Sequence, residues 1–132
     1  MLRAAIDRCK VGGYIVYSTC SFAVEENEEV VDYVCKNRYV KIIDTGLQIE
    51  SRVYKKFGEK RFNDRMKYCI RVFPHIHNLD GFFICKLKKI RDGERTLEND
   101  QKFQAKKVSN EKKNLVRKKK IEKKLRKQEK TK

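Results

Sequence analysis

The 132-residue sequence contains no tryptophan and one proline, Pro74. A single proline leaves no proline-rich linker, and because His75 follows it, a Pro-Cys dipeptide is impossible in this chain. Long apolar runs are missing too. The opening MLRAAIDRCK places Arg3, Asp7 and Arg8 among its apolar residues, which fits neither a secretory leader nor a membrane span. Paired cysteine motifs are absent: Cys9, Cys20, Cys35, Cys69 and Cys85 include no CxxC and are odd in number. That pattern argues against a disulfide framework and a zinc ribbon, and for free thiols in a reducing, intracellular setting. Acidic residues thin out toward the end. Residues 1–85 carry 14 Lys/Arg against 11 Asp/Glu, a net of +3, whereas residues 86–132 carry 20 against 7, a net of +13. Charge so concentrated implies a polyanionic partner. Nucleic acid fits better than a membrane surface, since no strong apolar face accompanies the lysines.

What is present is organised around GGYIVYSTCSF, Gly12 to Phe22. Tyr14 to Tyr17 form an unbroken β-prone run that turns small and polar at Ser18-Thr19-Cys20-Ser21, as in a strand covered on both faces of a parallel α/β sheet. Functional residues of such sheets gather at the carboxyl ends of strands, where Cys20 falls. Before it, residues 1–9 read as the end of a helix with Leu2, Ala5, Ile6 and Cys9 on one face, stopped by Gly12-Gly13. After it, Val24 to Lys36 reads as a helix whose first turns are loaded with Glu25, Glu26, Glu28 and Glu29, and whose stripe is Asn27, Val31, Val34 and Cys35. Val40 to Thr45 suits a second strand, ended by Gly46.

Gly46 to Lys67 is less regular. Tyr54, Phe57 and Phe62 are interleaved with Arg52, Lys55, Lys56, Lys60, Arg61 and Arg65, a mixture that suits the phosphates and bases of single-stranded RNA, or equally a surface excursion pinned by its aromatics. In IRVFPHIHNLDGFFICKLKK, Pro74 bars a central strand at its own position and Asp80-Gly81 is a turn signal. Phe82 to Leu87 then reads as a strand with Phe83, Cys85 and Leu87 on one face. Two histidines at i, i+2, His75 and His77, with no third ligand at suitable spacing do not make a metal site. From Arg91 the chain is polar and Lys-rich, read as a disordered or transiently helical arm. Within it, RKKKIEKKLRK, Arg117 to Lys127, is a candidate nuclear localisation tract, or simply a solvated charged tail.

The order YSTCS, EENEEVVDY and RVFPHIHNLDGFFICKLKK resembles the carboxyl-terminal part of the NOP/SUN family of RNA cytosine-5 methyltransferases, most closely the nucleolar branch acting on large-subunit ribosomal RNA. The similarity runs from about Leu2 to Lys89. It implies an α/β fold: the last strands and helices of a Rossmann-like, S-adenosylmethionine-dependent methyltransferase domain over residues 1–90, followed by a Lys-rich tail over 91–132. Tyr14 to Ser18 would be the fifth strand, Val40 to Thr45 the sixth, and Phe82 to Leu87 the antiparallel seventh of a mostly parallel sheet with helices on both faces. The family's catalytic cysteine matches Cys20, whose thiolate would add to C6 of cytosine and make C5 nucleophilic. Arg71 and His75, in a family-like RxxPH segment, are expected to shape the active-site wall or contact RNA, and Lys55, Lys56, Arg61 and Arg65 in the basic stretch are candidate RNA contacts. Asp80 to Phe83 is expected to be architectural, and Cys9, Cys35 and Cys85 to pack. Ribosomal RNA and pre-ribosomal particles are the implied partners, in the nucleus and nucleolus, with transfer RNA as the alternative substrate.

The sequence also departs from that family. It has no glycine-rich cofactor loop after a strand, no acidic ribose ligand and no Pro-Cys motif, so the S-adenosylmethionine-binding residues are expected to be absent from this chain. The chain then reads as a truncated product, a misplaced start or one piece of a split gene, inactive and poorly stable alone, with an open sheet edge and exposed apolar faces. A non-enzymatic RNA-binding or ribosome-assembly module is the competing expectation.

Overall fold

The computed structural model describes residues 1–51, 53–101, 108, 110, 111 and 117. It divides into two units, Met1–Arg95 and Thr96–Lys132. In the second unit residues 97–101 are helical, with Thr96 Oγ1 accepting from the Asn99 N–H. The tract from Arg117 to Lys127 otherwise lies outside the described residues.

The first unit opens with α1 (Leu2–Arg8), which buries Leu2 and Ile6 but leaves Ala5 exposed. The turn after it depends on two glycines. Gly12 sits at φ +85°, and a Cβ on Gly13 would lie 2.7 Å from Cys9 Sγ. That turn leads into β1 (Tyr14–Thr19). The expected helix then arrives in two pieces, a 3-10 turn (Val24–Glu26) and α2 (Glu28–Asn37), broken at Asn27 where φ is −114° and ψ −92°. Its expected stripe is buried: Asn27, Val31, Val34 and Cys35 all face the interior. β2 (Arg38–Ile43) follows directly, two residues ahead of its expected start. A short hairpin, β3 (Lys56–Phe57) and β4 (Lys60–Arg61), a 3-10 turn (Asp64–Tyr68) and β5 (Ile70–Val72) come next. Pro74 ends that run as expected and begins the four-residue helix α3 (Pro74–His77). The last strand, β6 (Phe82–Glu94), crosses the expected boundary at residue 90 and runs on to Glu94.

β6 is the centre of the sheet. β1 lies antiparallel along one edge, from Tyr14↔Lys88 to Thr19↔Phe83. The other edge is shared, antiparallel, by β5 (Ile70↔Ile84) and β2 (Val40↔Lys89 to Ile43↔Lys86). β1 and β2 therefore run in the same direction with β6 between them, and the unit is a mixed α/β arrangement. Phe83, Cys85 and Leu87 are fully buried on one face of β6, as their alternation foretold, and pack with Ile15, Ile42, Ile6, Val31 and Val34 under α1 and α2.

Within this chain β1 is covered on one face, in keeping with a partial sheet. β1 alternates between exposed and half-buried residues, and Tyr14 and Val16 remain 59% and 64% exposed. The run YIVY is apolar on both sides because β-prone residues occupy it throughout, but among the described residues only the side carrying Ile15 and Tyr17 packs against the core.

Candidate active site

Cys20 is exposed, one residue beyond the carboxyl end of β1. The backbone around it is held from beneath by Asn27, which is fully buried at the start of α2. The Thr19 hydroxyl donates to Asn27 Oδ1 at 2.5 Å, and Asn27 Nδ2 donates to the Ser21 carbonyl at 2.8 Å. One amide thus grips the chain on both sides of the thiol. The loop adds its own turns: the Ser21 N–H donates to Thr19 Oγ1 and the Ala23 N–H to Ser21 Oγ.

A second grip comes from Arg71 on β5. Its Nη1 donates to the Phe22 carbonyl at 3.0 Å, while Nε and Nη2 form a fork on the Glu28 carboxylate at 3.0 and 2.6 Å. Both side chains are buried, Glu28 completely. The guanidinium also lies 5.1 Å from the Tyr54 ring centroid and 5.7 Å from that of Phe83. The Phe22 ring, in turn, occupies the space above Gly81, where a Cβ would meet its Cζ at 2.0 Å. Segments far apart in sequence, YSTCSF, NE, Arg71 and the DG turn, meet at this one loop.

The expected RNA contacts fare unevenly. Arg71 is 1% exposed with its donors committed to Glu28 and Phe22, so it supports the loop from inside and does not face RNA. Arg65 is half-buried: its Nε donates to the Ile42 carbonyl at 2.7 Å and its guanidinium lies 4.8 Å from the Tyr68 ring centroid. Lys55, Lys56 and Arg61 are exposed in and beside the β3–β4 hairpin, and His75 is exposed on α3. Of the interleaved aromatics, Phe62 is in the core and Tyr54 is half-buried, while Phe57 is exposed. His77 bonds main-chain groups with both nitrogens: Nδ1 accepts from the Phe73 N–H, and Nε2 donates to the Glu50 carbonyl. Asn27 and Glu28 escaped sequence reasoning as parts of the site. Their only signal is a polar pair at the start of an apolar stripe, one of them a carboxylate that needs a buried cation.

The other thiols differ from Cys20. Burial, reinforced by Asp32, pushes the Cys35 thiol up to about 12, and a hydrogen bond with Cys69, together with burial, pushes Cys85 far up as well. Cys69 is buried and its Sγ lies 3.6 Å from Met66 Sδ.

The adjacent pair Gly12-Gly13 does not fit a cofactor cradle. Gly12 and Gly13 precede β1, and the space a cradle would leave open at Gly13 is filled by Cys9 Sγ and the Lys10 carbonyl.

Residues 1–88 match the family model described as 16S rRNA methyltransferase RsmB/F. The chain is 48% identical over 97 residues to the 25S rRNA (cytosine-C(5))-methyltransferase nop2 of Schizosaccharomyces pombe, covering 70% of this chain and 16% of that protein. It is also 48% identical over 93 residues to the 28S rRNA (cytosine(4447)-C(5))-methyltransferase of Homo sapiens, covering 67% of this chain and 12% of that protein. Among solved structures, a methyltransferase homologue from Pyrococcus horikoshii is 34% identical with a TM-score of 0.61, over 67% of this chain and 28% of that one. NSun6 from the same organism, crystallised with SFG, is 34% identical with a TM-score of 0.56, over 69% of this chain and 21% of that one. The matched segment is thus a small part of each curated relative, 16% and 12% of their lengths.

Proposed function

As this chain belongs to the RsmB/F methyltransferase family, we propose that it is the carboxyl-terminal portion of an RNA cytosine-5 methyltransferase acting on large-subunit ribosomal RNA, with Cys20 as its nucleophile. The observation that carries this reading is the placement of Cys20: an exposed thiol at the end of a sheet strand, on a loop gripped by Asn27 and Arg71. Such a grip serves a side chain that must approach a planar ring from above its face, because positioning the attacking atom removes much of the entropy of a bimolecular addition.

The chemistry assigned to Cys20 is an addition followed by its reversal. The thiol gives its proton to a base, and the thiolate forms a bond to C6 of cytosine. The electron pair of the C5–C6 double bond shifts so that C5 becomes the nucleophilic carbon of an enamine. After C5 has been substituted, loss of its proton expels the thiolate and restores the ring. The methyl donor implied by the family resemblance is S-adenosylmethionine, whose binding residues lie outside this chain in this reading. The chain alone neither binds it nor methylates RNA. Its compartment is the nucleolus and its partners are pre-ribosomal particles, with the Lys-rich segment after Arg91 adding salt-sensitive affinity for RNA.

The test uses the full-length protein and RNA containing a mechanism-based cytosine analogue. A covalent RNA adduct is expected on Cys20 and is expected to vanish in Cys20→Ala. An adduct that persists in that variant places the nucleophile elsewhere. No adduct in either protein favours a non-enzymatic assembly module.

A further inference from the structure

Three consecutive peptide groups follow Cys20, and each is pinned by a side chain. The first, between Cys20 and Ser21, donates its N–H to Thr19 Oγ1 at 3.2 Å, and that hydroxyl is itself turned by donating to Asn27 Oδ1. The second, between Ser21 and Phe22, accepts on its carbonyl from Asn27 Nδ2 at 2.8 Å. The third, between Phe22 and Ala23, accepts from Arg71 Nη1 and donates to Ser21 Oγ, both at 3.0 Å. The two groups nearer the thiol therefore trace to one side chain, Asn27.

That side chain must accept from a hydroxyl and donate to a carbonyl at once. A carboxylate only accepts and an aliphatic side chain does neither, whereas an amide does both from two atoms of one rigid plane. The helix draws nothing from the amide. Asn27 stands at the N-cap of α2, where an asparagine ordinarily accepts from an N–H of the first turn, yet its side chain makes no such bond. What α2 takes is the main-chain carbonyl, which accepts from the Val31 N–H at 3.1 Å and would be present in any residue. A completely buried amide is costly unless it is paired, and both partners of this one lie on the Cys20 loop. These bonds are internal to the chain and need no exposed surface.

We propose that Asn27 is a positioning residue for the addition to cytosine, setting the direction of the Cys20 thiol through Thr19 and Ser21. The inference rests on Cys20 being the nucleophile. Attack on C6 needs the sulfur above the ring along one direction, and a loop free to turn about its peptide groups spreads the thiol over directions that miss. Asn27 acts through the backbone on either side of the thiol, so its loss slows the bond-forming step and leaves the binding of RNA as it was.

The experiment follows covalent capture of RNA substituted with 5-azacytosine, which traps a C6 adduct, by the full-length protein. It separates the saturating rate from the RNA concentration that gives half of it. Asn27→Ala and Thr19→Val are each expected to lower the saturating rate about a hundredfold with the half-saturating concentration unchanged. Thr19→Ser, which keeps the hydroxyl, is expected to restore the rate. Asn27→Ala/Thr19→Val is expected to lose less than the product of the two single losses, because both act through one hydrogen bond. Iodoacetamide, a small reagent that approaches from any side, is expected to alkylate Cys20 in each of these variants at the parent rate and to spare Cys35 and Cys85. A parent-like saturating rate in Asn27→Ala and Thr19→Val, with the adduct still lost in Cys20→Ala, would overturn this inference alone. An adduct that survives in Cys20→Ala would overturn the nucleophile and the positioning role together. Alkylation of Cys35 and Cys85 in both single variants would make Asn27 a folding residue, and the proposal would fall.

Discussion

At the scale of single residues the five thiols separate by surroundings. Cys20 is exposed and Cys9 half-buried, whereas Cys35, Cys69 and Cys85 are buried, and burial keeps the Cys35 thiol protonated with a pKa of about 12. A thiol reacts as its thiolate and only where reagent reaches it, so alkylation of the native chain at mildly alkaline pH should label Cys20 first and Cys9 second. The three buried thiols should be labelled only on unfolding, as followed by peptide mass spectrometry. Labelling of Cys35 or Cys85 at the rate of Cys20 would contradict the packing. The position of Cys20 was legible in the sequence, because an apolar run followed by small polar residues marks a strand end. The grip of Asn27 was not: its bonds to Thr19 and Ser21 depend on how the chain turns between them, and no periodicity encodes that turn.

Between elements, the Arg71–Glu28 fork joins β5 to α2 through a pair with almost no solvent. Removing one partner strands the other charge in the interior, at a cost of about 3–5 kcal/mol. Arg71→Met and Glu28→Gln should therefore each destabilise the folded unit severely in urea titrations. Arg71→Met/Glu28→Leu should lose less than the two singles summed, because no orphaned charge remains. Single losses within a few tenths of a kcal/mol of zero would mean the pair is hydrated. Element types were largely readable: β6 from the alternation of Phe83, Cys85 and Leu87, and α2 from its stripe. Of the two readings of Arg71, part of the site wall or a contact to RNA, its burial fits the first; the sequence left both open because exposure is a tertiary property, and a basic residue beside aromatics looks the same whether the aromatics form a pocket around it or a surface beneath it.

Across the whole folded unit, Arg38 links three parts of the chain. Its side chain is 8% exposed, and it pairs with Asp7 after α1 begins and with Glu94 at the end of β6. The hydrogen bond from Arg38, aided by its charge, holds the Asp7 carboxyl below its ordinary 3.8. A carboxylate with a depressed folded pKa adds stability above its unfolded value, and that contribution disappears as pH falls through the folded value. Asp7 is 47% exposed, so the effect is screened and amounts to about 1 kcal/mol or less. Asp7→Asn should lower the melting temperature slightly at pH 7 and converge on the parent as pH falls through the depressed folded value and acid removes the Asp7 charge that the variant lacks. A constant offset across that range would exclude the linkage. The concentration of positive charge toward the end of the sequence was fully legible, since counting needs no fold, but the bridging role of Arg38 was not.

The place of β6 in the sheet has a consequence in time. β1, β2 and β5 each pair with β6 and, among the described strands, with nothing else, yet β6 is the last of them to be synthesised. At roughly 5–20 residues per second, the interval between completing β1 and completing β6 is on the order of 4–15 s. Throughout that interval the apolar strands wait without a ladder, in the state most open to chaperones and to misassociation. A ribosome paused just before Phe82 would hold every other strand of the unit and only the small β3–β4 hairpin paired.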